Sequence, residues 1–417
     1  MENNSRRKFL KNATGLIATG LVTNAVIGNA TGARGMNAET MNALSLREDE
    51  KRELITRKLG RTGVMIPIVS MGVMNSSNPN LLKVAWQSGM RHFDTAWGYQ
   101  AGNNEKMVGK VMRDLKVDRK DVIITTKIEI DPSLNKPQHG AERKKQFLTR
   151  FSQSLDRLQM DYVDILMLHD VNTMEQVLDP VIMEAMQQLK DQGKIRFPAF
   201  STHVYWPELL TAAADKGFYD VVLISWNYSL AGDDPSYKAM QHAVSKGIGL
   251  IAMKTQCQQD WYKQWLPAET QKFYEGSMMH SALLKWVLNH EMITTAIPGF
   301  TTFEQLQADV MAARDLEYKS GEKKFLEDHH VKLAIRSVCR FCGGCRETCP
   351  YGVDVPALMR THMYASSYGN PHMAHKTHLA IPEGKGLDVC KNCTECAARC
   401  RNNVQIAQRL EELKMMV

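Results

Sequence analysis

The chain has 417 residues, 44% of them hydrophobic, and a formal net charge of +7. Length and composition suit two or three domains, or one large barrel with a smaller module, and supply enough apolar residues for a real core. Beyond the N-terminus no run of about 18 residues is apolar enough to span a membrane, and the lack of any basic run interleaved with aromatics excludes a nucleic-acid partner.

The chain opens Ser5-Arg6-Arg7-Lys8-Phe9-Leu10-Lys11, continues through a weakly apolar stretch from Ala13 to Ile27, and then offers small residues at Gly28-Asn29-Ala30 and Thr31-Gly32-Ala33. This pattern resembles a twin-arginine signal peptide over residues 1–33. The resemblance implies passage through the twin-arginine translocase to the periplasm in a folded state, or retention at the membrane by an uncleaved signal. Residues 34–53 are polar and charged and read as a linker. Arg6, Arg7, Lys8 and Lys11 belong to the removable segment, so much of the positive excess leaves with it.

From Leu54 to about Leu316, short β-branched or apolar runs alternate with longer amphipathic segments. The runs are Ile66–Gly72, His92–Ala96, Val122–Lys127, Val163–His169, Ile195–Ser201, Val221–Trp226, Gly249–Lys254 and Thr294–Pro298; helix-like stretches between them include Gln146–Leu158 and Val181–Gln192. Eight strands alternating with helices predict an α/β fold, a (β/α)8 barrel over residues 54–318. An open doubly wound sheet fits less well because no Gly-x-Gly-x-x-Gly turn follows the first strand. Gly60-Arg61-Thr62-Gly63 reads as a hairpin turn that plugs the barrel floor.

Barrel chemistry sits where strands end and βα loops begin. Strand two ends in Phe93-Asp94-Thr95-Ala96 with Tyr99 close behind, strand three in Thr125-Thr126-Lys127, and strand four in Leu168-His169-Asp170. These four functional residues suit carbonyl reduction. Tyr99 is the general acid, Lys127 lowers the phenol pKa, Asp94 holds Lys127, and His169 orients the carbonyl and relays a proton.

Gly89-Met90-Arg91-His92-Phe93-Asp94-Thr95-Ala96, followed by Tyr99, Glu105 and Gly109, resembles the signature segment of the aldo-keto reductase family, as do Lys194-Ile195-Arg196 and Ile297-Pro298-Gly299. The resemblance covers the whole barrel. It implies NADPH- or NADH-linked interconversion of a carbonyl and an alcohol, with Asp94, Tyr99, Lys127 and His169 as the catalytic set and Ser201, Thr202, Ser225, Met253, Lys254 and Gly299 at the cofactor. The cofactor positions depart from the family pattern. Ser201-Thr202-His203 stands for Ser-Asn, Ser225 for a Gln, Met253 for a stacking aromatic, and the basic residue for a 2′-phosphate falls on Gln305. Loss of that Arg removes a charge-assisted contact. The Ser-x-His variant resembles a subgroup that carries a C-terminal ferredoxin module. The pocket mouth is expected to be lined by Trp97, His203, Tyr205, Trp206, Trp226 and Asn227, an aromatic lining suited to a sugar or other polyol.

Residues 319–338 read as a linker helix before the cysteine motifs. Cys339-x2-Cys342-x2-Cys345-x3-Cys349-Pro350 and Cys390-x2-Cys393-x2-Cys396-x3-Cys400 repeat the spacing of bacterial ferredoxins, the second without its Pro. They predict two 4Fe–4S clusters in a mostly helical ferredoxin-like domain over residues 339–417. Because the fourth cysteine of such a run often ligates the other cluster, swapped ligation is expected: Cys339, Cys342, Cys345 and Cys400 for one, Cys390, Cys393, Cys396 and Cys349 for the other. Structural zinc prefers two separated Cys-x2-Cys pairs, and cysteines three apart bridge poorly as disulfides. Cys257 reads as a small buried residue. His362, His372, His375 and His378, with Met363 and Met373, form a weaker metal-site candidate.

Together these features predict an exported iron–sulfur oxidoreductase acting on a small carbonyl or alcohol, with a redox protein partner for the clusters. The alternative is an electron-transfer or ligand-binding protein whose barrel has lost nicotinamide chemistry and whose clusters relay electrons to a membrane partner.

Overall fold

The structure, a computed structural model, describes residues 52–416 apart from 258–265, 274–277, 337, 391, 392 and 394. The twin-arginine segment and nearly all of the 34–53 linker lie outside the described residues.

A short antiparallel hairpin comes first, β1 (Thr56–Lys58) and β2 (Met65–Pro67). Eight parallel strands follow: β3 (Met71–Gly72), β4 (His92–Asp94), β5 (Ile123–Ile128), β6 (Val163–Leu168), β7 (Ile195–Thr202), β8 (Val221–Ser225), β9 (Gly249–Met253) and β10 (Ile293–Ala296). They pair in strict sequence order. The ends meet at a parallel bridge between Val69 and Ala296, where the Ser70 amide donates to the Ala296 carbonyl at 2.8 Å. The sheet therefore curls into the expected barrel.

Alternation along the strands divides the core. Ile124, Leu166, Phe200, Val222 and Leu250 face the surrounding helices. Ile123, Ile165, Met167, Ala199, Val221, Leu223 and Ile251 fill the interior together with Leu59 and Ile66 of the hairpin, which closes the floor as predicted. The helix at Gly140–Leu158 begins earlier than the apolar pattern marks, and the one at Pro180–Asp191 starts on a Pro behind an Asp179 cap.

Helices Ser320–Glu327 and His329–Arg336 follow the barrel. The rest is a small helical module. Val355–His362 runs on as a π-turn at Met363–Ser367 and packs against Pro371–Leu379 and Ile406–Lys414. Its core contains Phe341, Val353, Leu358, Met359, Met363, Tyr364 and Leu410, and also Val204 from the loop after β7. The module thus shares a core with the face of the barrel on which the strands end. Among the described residues no helix is long and apolar enough to cross a membrane.

Candidate active site and cysteine module

The signature segment builds the site from below. Asp94 ends β4, and its carboxylate bonds the Lys127 ammonium from β5, which also donates to the Thr95 carbonyl at 2.8 Å. Both side chains are buried. Glu105 accepts from the Thr126 hydroxyl at 2.6 Å and pairs with Arg157 at 3.2 Å, while Asn104 ties Thr95 to the Val73 carbonyl. Gly109 is a packing requirement: a Cβ there would lie 2.1 Å from the Leu158 carbonyl oxygen. Much of the signature is therefore the frame that carries Tyr99.

The four predicted catalytic residues come together. Lys127 Nζ sits 5.0 Å from the centre of the Tyr99 ring, and the Tyr99 and His169 rings meet edge to face at 5.7 Å. The electrostatics differ from expectation at Tyr99. Burial, reinforced by the charges of Asp94, Tyr364, Asp170 and Glu129, pushes its phenol well above 10 instead of lowering it. Lys127 is spent on Asp94, and its own pKa falls through burial. Burial and the Lys127 charge hold His169 neutral, well below 6.5, and its buried Nδ1 has no protein partner. In this state Tyr99 is a protonated donor beside a neutral imidazole.

Asp170, which ends strand four in the sequence reading but is given no role there, is the hinge of the site. It follows His169 in a left-handed conformation, φ 61°. Its carboxylate takes Arg360 at 2.5 Å and His203 Nδ1 at 3.0 Å. Burial pushes the Asp170 carboxyl up, but Arg360 and His203 more than reverse this and hold it well below the usual carboxylate range. Arg360 belongs to the module. Lys376 of the module similarly pairs with Glu129 after β5, and Asn370 donates to Asn75 at 2.8 Å. No local motif marks these links, because they join residues 190, 247 and 295 positions apart.

The residues expected at a nicotinamide are mostly closed off. Ser201, Thr202, Ser225 and Met253 are buried. The Ser201 hydroxyl accepts the Asp170 amide at 3.0 Å, and Thr202 donates to the Val204 carbonyl at 3.0 Å. Lys254 lies 4.6 Å and 4.8 Å from the ring centres of Tyr364 and Tyr368, and burial lowers it to about 7. Gln305 spends its side-chain oxygen on the Thr301 and Thr302 amides at the start of a helix. Only Gly299 borders an open cleft. The donor set in this conformation does not fit a nicotinamide.

The expected aromatic mouth is corrected too. Trp206 and Trp226 are core residues. Trp97 packs outside between Arg150 and Arg157. Asn227 accepts from Ser229 and from Cys257, whose thiol is buried as expected. His203 serves Asp170, and Tyr205 lies against the cysteine module with Arg346 over its ring at 4.9 Å. The open cleft, about 940 Å³, instead runs between Met74, Asn75, Tyr99 and Gln100 of the barrel and Ser366–Met373 of the module.

The cysteines fall into two groups. Cys339, Cys342, Cys345 and Cys400 line one cavity with Phe341 and Gly344. Cys390 lies within electrostatic reach of Cys393, Cys396 and Cys349. Burial and neighbouring thiols raise Cys339 and Cys345 to about 12. Among the described residues no three His, Cys, Asp or Glu converge on one ion-sized point; four thiols around a cavity suit a polynuclear group, whose ligands bind separate irons. Gly343 matters here: its φ is 74°, and a Cβ on it would meet Tyr205 Cε1 at 1.7 Å. That close approach seats the first group on the loop that carries His203. His362 bonds Glu412 at 2.6 Å.

Residues 69–259 match the sequence model of the aldo/keto reductase family. The barrel resembles that of an aldo/keto reductase-type oxidoreductase. Relatives include L-galactose dehydrogenase of Arabidopsis thaliana, 26% identical over 65% of this chain and 92% of its own length. L-glyceraldehyde 3-phosphate reductase of Escherichia coli O157:H7 is 25% identical, over 66% and 91%. Among solved structures, an aldo-keto reductase from Klebsiella pneumoniae in complex with NADPH shares the fold, with a TM-score of 0.50 and 20% identity over 67% of this chain and 95% of that one. These alignments cover about two thirds of the chain, and the family match ends at residue 259, before the cysteine module.

Proposed function

We propose that this protein is an exported iron–sulfur oxidoreductase that interconverts a carbonyl and an alcohol, with Tyr99 as the proton donor to the substrate oxygen. The observation that carries this reading is the convergence of Tyr99, His169 and the Asp94–Lys127 pair at the strand ends, walled by a cysteine module. Tyr99 delivers the oxygen-bound proton. His169, neutral and with a free ring nitrogen, orients that oxygen. Lys127 and Asp94 fix the charge balance beneath the phenol, and the module walls one side of the cleft.

Eight cysteines would hold two 4Fe–4S clusters, Cys339, Cys342, Cys345 and Cys400 around one and Cys349, Cys390, Cys393 and Cys396 around the other. Such clusters supply one-electron transfer and bind thiolates, so loading drives the high-pKa thiols to deprotonate. NADH or NADPH is the hydride carrier that family relationship suggests, as in the Klebsiella protein's complex. The residues expected at its seat are buried here. That closure favours a second reading, in which the barrel binds its ligand without nicotinamide and the clusters pass electrons to a redox protein or a membrane partner. Export through the twin-arginine translocase to the periplasm belongs to the first reading as well, since a cluster loaded inside the cell needs a route for folded protein.

The deciding experiment is an anaerobic titration of the cluster-loaded mature protein with NADPH and NADH, following tryptophan fluorescence and cluster absorbance together. Saturable quenching supports a nicotinamide enzyme, and bleaching shows that its electrons reach the clusters. Silence towards both nucleotides turns the assignment to the second reading. Iron and sulfide contents far below eight of each per chain sink the two-cluster assignment.

A further inference from the structure

The cleft of about 940 Å³ that Tyr99 opens onto is walled on one side by the segment Ser366–Met373 of the cysteine module. We infer that this cleft is the substrate site, that its occupant is an uncharged polyhydroxylated compound of the sugar class, and that Tyr368 and His372 of the module select it. This inference rests on the proposed carbonyl chemistry at Tyr99 and adds the class of molecule and the residues that recognise it.

Three observations point there. The first is charge. The lining consists of Met74, Asn75, Tyr99, Gln100, Ala101, Gly299, Thr301 and the module residues Ser366 to Met373, with no Lys, Arg, Asp or Glu among them. Of the charged groups nearby, Lys127 pairs with Asp94, Arg360 with Asp170 and Lys376 with Glu129, while Lys254 lies outside the lining and donates to the Tyr364 hydroxyl at 3.3 Å. A phosphate or carboxylate entering this cleft would be desolvated without a fixed cation to meet it. Hydroxyl groups would find amide and hydroxyl partners, and a sugar ring face would find Tyr368.

The second observation is strain on the barrel wall. Gln100 and Ala101, directly after Tyr99, both adopt left-handed backbone, φ 49° and 53°. Non-glycine residues held there carry backbone strain and gather at binding sites. Gln100 is fixed in that turn by donating to the Met74 and Ser76 carbonyls at 3.2 Å.

The third lies on the opposite wall. The helix that begins at Val355 widens to a π-turn over Met363–Ser367 just before it lines the cleft. Single π-turns inside helices favour functional positions. Here the turn delivers Tyr364 towards Lys254 and sends Ser366, Ser367 and Tyr368 along the cleft. Two irregular backbone segments, one from each part of the chain, thus face each other across one cavity.

The test is calorimetric binding to the full, cluster-loaded protein under anaerobic conditions. The probes are glucose, galactose and maltose as neutral sugars, and gluconate, glucose 6-phosphate and NADPH as charged ones. At least one neutral sugar should bind at least about tenfold tighter than gluconate and glucose 6-phosphate, a difference of about 1.4 kcal/mol. Tyr368→Leu and His372→Ala should each weaken that binding about tenfold, with cluster absorbance and melting temperature unchanged as the control for folding. Failure of every neutral sugar to bind, equal or tighter binding of gluconate or glucose 6-phosphate, or unchanged affinity in both variants overturns the inference; NADPH binding reports on the cofactor and not on this cleft. Tyr99→Phe separates the two claims. It should keep sugar binding and lose turnover; retained turnover would remove the catalytic assignment and leave the binding result standing.

Discussion

The Arg360–Asp170 pair is the strongest single link between the module and the barrel, and its strength can be worked from its surroundings. The Arg360 side chain is 8% exposed and that of Asp170 is 31% exposed, with Nη1 and Oδ1 2.5 Å apart. Removing one partner of a fully buried pair costs about 3–5 kcal/mol, whereas an exposed pair contributes about 0–1 kcal/mol. This pair lies between those limits, and His203 stays on Asp170 after Arg360 is removed. The coupling is therefore about 2 kcal/mol. A double-mutant cycle of Arg360→Met and Asp170→Asn measures it, using denaturant unfolding of the cluster-loaded protein and the rate of proteolysis between residues 316 and 339. Asp170→Asn alone should be the worse single change in proteolysis, because it strands the more buried Arg360 guanidinium, whereas Asp170 keeps His203 when Arg360 is removed, and combining the two changes should recover part of the loss. A coupling under about 0.5 kcal/mol, the scatter of independent sites, would refute the view that this pair clamps the module down.

Further outcomes follow from the same geometry. Tyr99→Phe should lower turnover at least about 100-fold while leaving the melting temperature near that of the parent, as expected for loss of a general acid; a turnover within a factor of a few would reassign the proton donor. Gly109→Ala should destabilise the barrel by about 3 kcal/mol, the upper range for overpacking, since its Cβ would press the Leu158 carbonyl; chemical denaturation reads this directly. Between pH 7 and 5 the protein should lose stability. His92 is held down to about 3, His203 to about 4 and His169 well below 6.5, each by burial first. Below about 6.5 the unfolded chain takes up protons that the native state refuses, and a flat stability profile over that range would contradict it. Cys400→Ser should disturb the spectrum of the cluster held by Cys339, Cys342 and Cys345, and Cys349→Ser the other; electron paramagnetic resonance with the reversed pattern would refute swapped ligation.

What was legible in the sequence follows the range of the interactions. The strands were readable because burial on both faces demands continuous β-branched runs, and the Asp94, Tyr99, Lys127 and His169 set because strand ends are marked by the same runs. The cysteine groups were readable because their spacing is local. The state of Tyr99 was not: its environment depends on Tyr364 and on the module that covers it, and a phenol beside a lysine in solution behaves oppositely to one buried with that lysine already paired. The mouth residues failed for a related reason. Trp206 and Trp226 follow strands, as pocket residues do, but helix packing against the sheet also wants large rings there, and only the three-dimensional neighbours decide.

The cysteine module looks like an added electron carrier when read along the chain, yet its contacts make it part of the barrel site. Val204 belongs to its core, Tyr205 fills the space over Gly343, and Arg360 holds the carboxylate next to His169. Ser201, Thr202, Ser225 and Met253, the positions expected at a dinucleotide, are buried, while the cleft at Tyr99 is open. Arg360–Asp170 and Lys376–Glu129 are the ion pairs that join the module to the strand-end face of the barrel beside those positions. The Arg360→Met variant therefore bears on cofactor use as well as stability. If nicotinamide is the carrier, loosening the clamp should raise the rate of NADPH binding above that of the parent; if the clusters replace it, NADPH should stay inert in both.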